Sequence, residues 1–434
     1  MSLDYSADGD TLVSAAYARD FDDTLLFTGN VRIYQYNYST STWDQLGEDI
    51  NGKEAFQFFG RPVALADNAL RVAIATASAN FPEVAVYEYD KAVEDWVQLG
   101  SDLLATVEGN GITGVAISSD GYTVAVGRSQ DSPDTGFTRI FQYDTKSGIW
   151  TQLGSDILGS LPGDLAGSTL AMSDNGRIVA IGSPQNDFDS ENDPAGYVSV
   201  YRYSCMKEDW EVLGSRIQGL SPAEKVGLYG LDISADGSVI AIGVGDYDGK
   251  EDKMEEIGQA RVYRFNKKSN SWEQVGSGID GMSEGDRAQT VSLSANGETI
   301  AVGSPSFMSG LGHVRVFSFD HYDHEWKQVG SQIQGDNTGD EAAMVALDAC
   351  GKQLAVGIGG SDIAGNAAGA VRVYKVSKEG EGKGSGGKGR MERKGSKKGA
   401  ECRGKGKGSV DSDDDEYCYP DVATGKSKGK GSPH

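Results

Sequence analysis

Two acidic loops carry the residues whose spacing most clearly permits chemistry. Asp187, Asp189, Glu191 and Asp193 alternate carboxylates along NDFDSEND, and Asp246, Asp248 and Asp252 do the same within GDYDGKEDKMEE. If such a loop curls, several oxygens can converge on one hard cation, since Ca²⁺ collects about six to eight oxygen ligands. Weak Ca²⁺ binding is one expectation for these loops. The other is a solvated acidic surface that keeps an all-β protein soluble. A third loop, RDFDDT, brings Asp20, Asp22 and Asp23 together, while Asp164, Glu224, Asp286 and Asp340 recur at one position of a repeated G-[DE] or A-E step. These seven are expected to line a face for protein or cation partners.

Signals for catalysis are sparse. There is no glycine-rich phosphate loop, nucleophile elbow or Cys-x-x-Cys pair. His321 and His324 fall in DHYDHEW, on a predicted hairpin turn where their spacing does not favour a shared metal. Four cysteines make no disulfide framework for 434 residues; Cys402 and Cys418 could bridge only in an oxidising compartment. Asn37-Tyr38-Ser39 is a glycosylation sequon, usable only in a secreted protein. Ser412 precedes three aspartates and reads as an acidophilic kinase target.

The elements that must position these residues come from a repeat. RIFQYDTKSGIWTQLGSDILG at 139–159 closely matches VRIYQYNYSTSTWDQLGEDING at 31–52 and RVYRFNKKSNSWEQVGSGIDG at 261–281. The repeating unit is about 57 residues long and holds four apolar runs. Examples are VAISSDG at 115, YTVAVG at 122, VSVYRY at 198, and a W-x-x-L/V-G run carrying Trp43, Trp96, Trp150, Trp210, Trp272 and Trp326. Such runs, four to seven residues long and rich in Val, Ile and Tyr, are strands. Ser-x-Asp-Gly between the first two is a tight hairpin, because glycine accepts the positive φ that such turns need.

In VRIYQY, Val31 and Ile33 point one way while Tyr34 and Tyr36 point the other, so both faces of the sheet must be covered. A blade cannot do that without neighbours. The predicted fold is all-β: residues 1–376 form a seven-bladed β-propeller of four-stranded antiparallel blades. The seventh copy runs from VRVYKV directly into SKEGEGKGSGG with no tryptophan strand. The tryptophans are expected to be packing anchors. The repeated Arg32, Arg139, Arg261, Arg315 and Arg372 are expected to pair with carboxylates or carbonyls between blades.

Residues 377–434 lack periodicity and read as a disordered Gly/Lys/Ser-rich tail with an acidic block at 409–421. The body carries a net charge of about −28 and the tail about +4. Such a body repels nucleic acid, and no apolar run reaches the ~20 residues that span a bilayer. The opening MSLDYSADGD has neither a basic nor an apolar stretch, so no signal peptide is expected. The lysine blocks of the tail could grip a polyanionic surface.

The string at 167–184, GSTLAMSDNGRIVAIGSP, and the following G-x-V-x-V-Y resemble FG-GAP-type repeats, the group that includes the integrin α-subunit head. The aromatic run followed by W-x-x-L resembles the third and fourth strands of kelch repeats, although the kelch Gly-Gly pair is absent from most units. The FG-GAP resemblance implies an extracellular or cell-surface location. Integrin-type repeats hold calcium in a D-x-D-x-D-G loop, but here that loop has shrunk to Ser-Ala-Asp-Gly or Ser-Ser-Asp-Gly, so calcium is not carried over to it. The Lys-Gly-Ser idiom of the tail resembles silica-associated proteins of diatoms.

The function expected from all this is a non-catalytic, monomeric binding scaffold. Its acidic loop face would bind protein or cation partners, Ca²⁺ being the one cofactor entertained, and its tail would tether it. The alternatives are a propeller hydrolase or lyase with an axial active site, and a structural surface or biomineral-associated protein. Titratable groups converging at the axis would mark the enzyme.

Overall fold

Each Ser-x-Asp-Gly segment closes on itself through its own side chains. Ser118 Oγ donates to Asp120 at 2.7 Å and accepts from the Thr123 N–H at 2.9 Å, while Gly121 takes a φ of +77°. The same serine-to-Asp/Asn bond recurs from Ser6, Ser173, Ser234 and Ser294. A turn specified this locally sets the register of the two strands it joins.

The structure is a computed structural model describing residues 2–17, 26–78, 83–104, 111–129, 135–184, 195–221, 224–249, 256–361 and 369–377. It contains seven antiparallel sheets in chain order, each a meander, so the fold is the seven-bladed propeller expected. Blade three is representative, with strands Gly114–Ile117, Thr123–Arg128, Phe137–Asp144 and Ile149–Gln152. The first strand of every blade is the innermost and the fourth, where present, the outermost. Blade seven has only Ala342–Leu347, Gln353–Ile358 and Ala370–Lys375. The expected tail lies, from residue 378 onward, outside the described residues.

Burial follows the two-faced pattern. Val124, Ala125 and Val126 are all fully buried, and the apolar clusters each join residues from adjacent blades. The small face of the second strand exists for a neighbour's backbone. A Cβ on Gly127 would stand 2.3 Å from the Gly167 carbonyl, and one on Gly243 1.8 Å from that of Gln289.

Two hydrogen-bonded hoops link the blades. On the inside, the hairpin turns donate in sequence: Ala7 N–H to Asp67, Asn68 to Ser119, Ser119 to Asp174, Asp174 to Ala235, Ala235 to Ala295, Ala295 to Ala349, and Ala349 back to Ala7. These bonds span 2.9–3.3 Å and close the ring. On the outside, the tryptophan indoles of blades two to six each donate to the preceding blade. Trp96 reaches Leu46 O, Trp150 Leu99 O, Trp210 Leu153 O, Trp272 Leu213 O and Trp326 Val275 O, at 2.7–3.0 Å. The indole rings stack beside an aromatic residue of their own blade, such as Tyr143 with Trp150 at 5.1 Å.

Trp150→Phe keeps a ring in the site but strands the Leu99 carbonyl. Urea unfolding should show a loss of about 1–2 kcal/mol, the cost of an unsatisfied buried acceptor. An unchanged midpoint would mean the outer hoop contributes nothing.

Candidate active site

The innermost strands surround an axial cavity of about 220 Å³. Its wall is mostly Val, Ala, Ile, Leu and Met from the first strands, into which four carboxylates project: Asp4, Asp67, Asp174 and Asp232. Asp4 and Asp232 occupy the penultimate position of the first strand, where blades two, three, four and seven have Ala64, Ala116, Ala171 and Ala346. Asp67 and Asp174 sit on the hairpin turns, where other blades place Ala7, Ser119, Ala235, Ala295 and Ala349.

The two deeper carboxylates also tie blades together. Asp4 accepts from the Tyr5 N–H at 2.8 Å and, across the blade boundary, from Leu65 at 2.7 Å. Asp232 accepts from Ile233 at 2.8 Å and from Leu293 of the next blade at 2.6 Å. Ser292 extends the scheme, accepting from Leu347 N–H at 3.0 Å. No cation answers these charges within the cavity wall, among the described residues.

Burial therefore dominates their acidity. It pushes Asp4 up to about 6 and Asp232 up to about 7, although the backbone N–H bonds to each oppose the rise. Asp67 is pushed up to about 7, first by burial and then by the negative charges of Asp174, Asp4 and Asp232. Asp174, more exposed at the mouth, is also raised, by burial and then by Asp236. Asp174 raises Asp67, whereas Asp67 opposes the rise at Asp174, so of the two Asp67 is favoured to keep its proton. Asp67 and Asp174 thus line one cavity with their acidities pushed unequally, a requirement of general acid–base chemistry.

The residues singled out from sequence lie elsewhere. Asp164, Glu224, Asp286 and Asp340 are buried, between 0% and 3% exposed, so they do not offer themselves to a partner. Each caps the turn before it: Asp164 accepts from Ser160 and Leu161, Glu224 from Leu220, Asp286 from Met282 and Ser283, and Asp340 from Asp336 and Asn337. Glu224 also holds Arg261 through two bonds of 2.8 and 2.9 Å. Asp246 is 3.1 Å from Lys225 and 3.9 Å from Arg287, and accepts from Tyr229 Oη at 3.0 Å, while Asp248 accepts from the Glu256 N–H. Asp246 is thereby neutralised by side chains rather than left open to a cation. Among the described residues no group of three or more His, Cys, Asp or Glu is placed to hold a metal. Asp187, Asp189, Glu191, Asp193, Asp252, Asp20, Asp22, Asp23 and Ser412 lie outside the described residues. Asn37 accepts from Ser39 and donates to Asp44 at 2.7 Å in its own hairpin. Cys205 and Cys350 are disulfide-bonded, and the proposed Cys402–Cys418 bridge lies outside the described residues.

The arginine row pairs as expected, but not only between blades. Arg32 binds Asp49 and Arg139 binds Asp156 within one blade, whereas Arg261 reaches back to Glu224 and Arg315 to the Asp280 carbonyl. Sequence reading missed the axial quartet. The available signal was a polar letter inside LDYS and LDIS, where the other copies read VAIS or LAMS. It also missed His313, which is fully buried with neither ring nitrogen bonded and is pushed down to about 4, chiefly by burial.

No family model matches the chain, and no curated protein does. Solved structures match in shape. Hydrazine synthase of Kuenenia stuttgartiensis superposes with a TM-score of 0.56 at 13% identity, over 87% of this chain and 96% of that one. The periplasmic gluconolactonase of Pseudomonas aeruginosa gives 0.55 at 13%, over 85% and 93%. A putative 6-phosphogluconolactonase from Bacteroides uniformis gives 0.53 at 14%, over 78% and 86%. Identity this low establishes the propeller fold alone. The finer FG-GAP resemblance finds no counterpart among these neighbours, which are enzymes. Two expectations are corrected accordingly, the non-catalytic scaffold and the absence of enzyme activity, since the propellers that this chain resembles in shape are lactonase-type and other enzymes.

Glu224→Gln leaves the Arg261 guanidinium buried and uncompensated, so denaturant melts should show a loss of about 3–5 kcal/mol. Asp336→Asn breaks an exposed pair with Arg372 and should cost under about 1 kcal/mol. Equal effects would contradict the structural role given to the loop carboxylate.

Proposed function

We propose that the chain is a hydrolase that opens small, uncharged or cationic cyclic esters at the axial cavity, with Asp67 and Asp174 as its acid–base pair. The observation that carries this is the convergence of carboxylates from blades one, two, four and five on a single axial cavity. Gluconolactonase among the structural neighbours supports the same reaction class.

The chemistry follows from the pair. Asp174, ionised, takes a proton from water as the oxygen attacks the ester carbonyl carbon. The ring C–O bond then breaks, and Asp67 gives its proton to the departing alkoxide. That leaves Asp174 protonated and Asp67 ionised. Proton exchange with water in the cavity then returns the proton to Asp67 and resets the site. The free edges of the first strands offer backbone N–H groups to the carbonyl oxygen as it gains charge. Asp4 and Asp232 act at a distance, holding Asp67 protonated by their charge.

Four carboxylates also select against anions. A phosphorylated lactone would be repelled, so a neutral one is the better substrate.

Hydrolysis of D-glucono-1,5-lactone, corrected for the spontaneous rate, tests the proposal. Asp67→Asn and Asp174→Asn should each lower kcat by about 100-fold or more. The pH dependence has a defined sign. Asp67 must be protonated, so activity should fall as pH rises past about 7. At the acid side, protonation of Asp174 should remove the base. A rate no greater than that of the double variant, across neutral lactones, would overturn the reading.

A further inference from the structure

Both cysteines of the propeller, Cys205 and Cys350, are disulfide-bonded, and their places in the fold forbid a bond to one another. Cys205 is exposed on the turn between the third and fourth strands of blade four, Tyr197–Ser204 and Asp209–Val212. Cys350 is on the hub turn of blade seven, beside Ala349, which lines the axial cavity. A disulfide requires Cα atoms within about 7 Å of each other. The two inner strands of blade four already set Cys205 about 10 Å out from the hub. The hub must be crossed as well, because blades five and six stand between the two turns on one side and blades one to three on the other. Each cysteine therefore takes its partner from outside the described residues.

The Cys350 turn is rebuilt around its cysteine. In the other six blades the third letter of this turn is Asp8, Asn68, Asp120, Asn175, Asp236 or Asn296, and it accepts the N–H two residues on at 2.9–3.0 Å. Blade seven reads Asp348-Ala349-Cys350-Gly351. There Asp348 takes over that bond, accepting from Lys352 at 2.6 Å and from Gln353 at 2.8 Å. The third position is thereby released from holding the turn. The chain also leaves the propeller here, since the Val376 N–H donates to the Lys352 carbonyl at 2.8 Å. Both hairpins of a meander emerge on one face, so Cys205, Cys350 and the exit at Ser377 share it.

We propose that Cys402 and Cys418 supply the two partners, one each, so that residues 403–417 form a strap across the hairpin face. The propeller presents two bonded cysteines, and the segment that leaves beside one of them carries two. The reach is sufficient. Seven sheets packed about 10 Å apart give a hub roughly 20 Å across, so the path from Cys350 to Cys205 is roughly 30 Å. The stretch from Cys402 to Cys418 extends to roughly 50 Å. Blades four and seven lie on opposite sides of the hub, so the strap passes over the cavity mouth, where Asp174 sits on the hub turn of blade four. Arg403, Lys405 and Lys407 complement the axial carboxylates along that path. Each bond forms by exchange with a small disulfide such as oxidised glutathione. The cysteine pair is oxidised, and the donor takes its two electrons and two protons and leaves as two thiols. Such bonds persist in an oxidising compartment. This pairing replaces the Cys402–Cys418 bridge considered from the sequence.

The test is tryptic mapping of the full chain, alkylated in denaturant without reductant and read by mass spectrometry. Cleavage at Arg403, Lys405 and Lys407 puts Cys402 and Cys418 on separate peptides. The Cys205 peptide and the Cys350 peptide should each be found linked to one of these two, in a monomer. A Cys402–Cys418 link, a Cys205–Cys350 link, alkylated Cys205 or Cys350, or a dimer that reduction dissolves would overturn the staple. That the strap covers the mouth rests on the axial active site proposed above and is read separately. Reduction of the folded protein, and Cys350→Ser, should each raise kcat/KM for D-glucono-1,5-lactone at least about threefold. Unchanged rates with both links mapped would remove the strap from the mouth. No hydrolysis in either state would count against the axial reading and leave the mapped links standing.

Discussion

Every blade of this protein is apolar on both faces, and that single constraint organises the rest. A sheet of this kind is stable only while another sheet lies against each side, at a separation small enough to exclude water. Gly127 and Gly243 are glycines because the next blade's backbone occupies the space a side chain would need. Gly47, Gly100, Gly154, Gly214 and Gly276 are glycines because an indole ring does. The inner ring of backbone hydrogen bonds and the outer ring of tryptophans are two readings of one requirement, that neighbours approach closely along their whole depth.

The inner hoop also makes the candidate site. Bringing seven first strands to one axis leaves their inner edges unpaired and encloses whatever side chains they carry. Where the residue is alanine, the cavity wall is merely small. Where it is aspartate, a carboxylate is removed from bulk water with no cation nearby, and its acidity drops towards neutrality. The turn carboxylates Asp67 and Asp174 come to the same cavity from different blades, and both are pushed up, chiefly by burial. The grouping of these carboxylates is a by-product of closure, since no single blade contains it.

Closure is weakest between blades seven and one. That junction keeps the inner contact from Ala349 to Ala7 and an apolar cluster around Tyr5, Leu12, Ala346 and Ala355. It lacks the outer strand, so the tryptophan clasp is open on both sides. Among the described residues this junction is therefore held from the inside, by the hub turns and the apolar cluster.

Strands, turns, blade number and the structural role of the tryptophans were legible in the sequence, because each depends on residues within a few positions of one another and is written again in every copy. The Ser-x-Asp-Gly turn bonds to itself, and alternation along VRIYQY reports two buried faces whatever lies beyond them. The purpose of the loop carboxylates was not legible. Asp164 and Glu224 look like surface acids in a list of letters, yet both cap turns and Glu224 holds Arg261 inside the protein. Nor was the axial quartet, whose members Asp4, Asp67, Asp174 and Asp232 are separated by up to 228 positions of chain and meet only at the hub. Acidity and proton sharing depend on distance and solvent exclusion, quantities that exist only once the ring has closed.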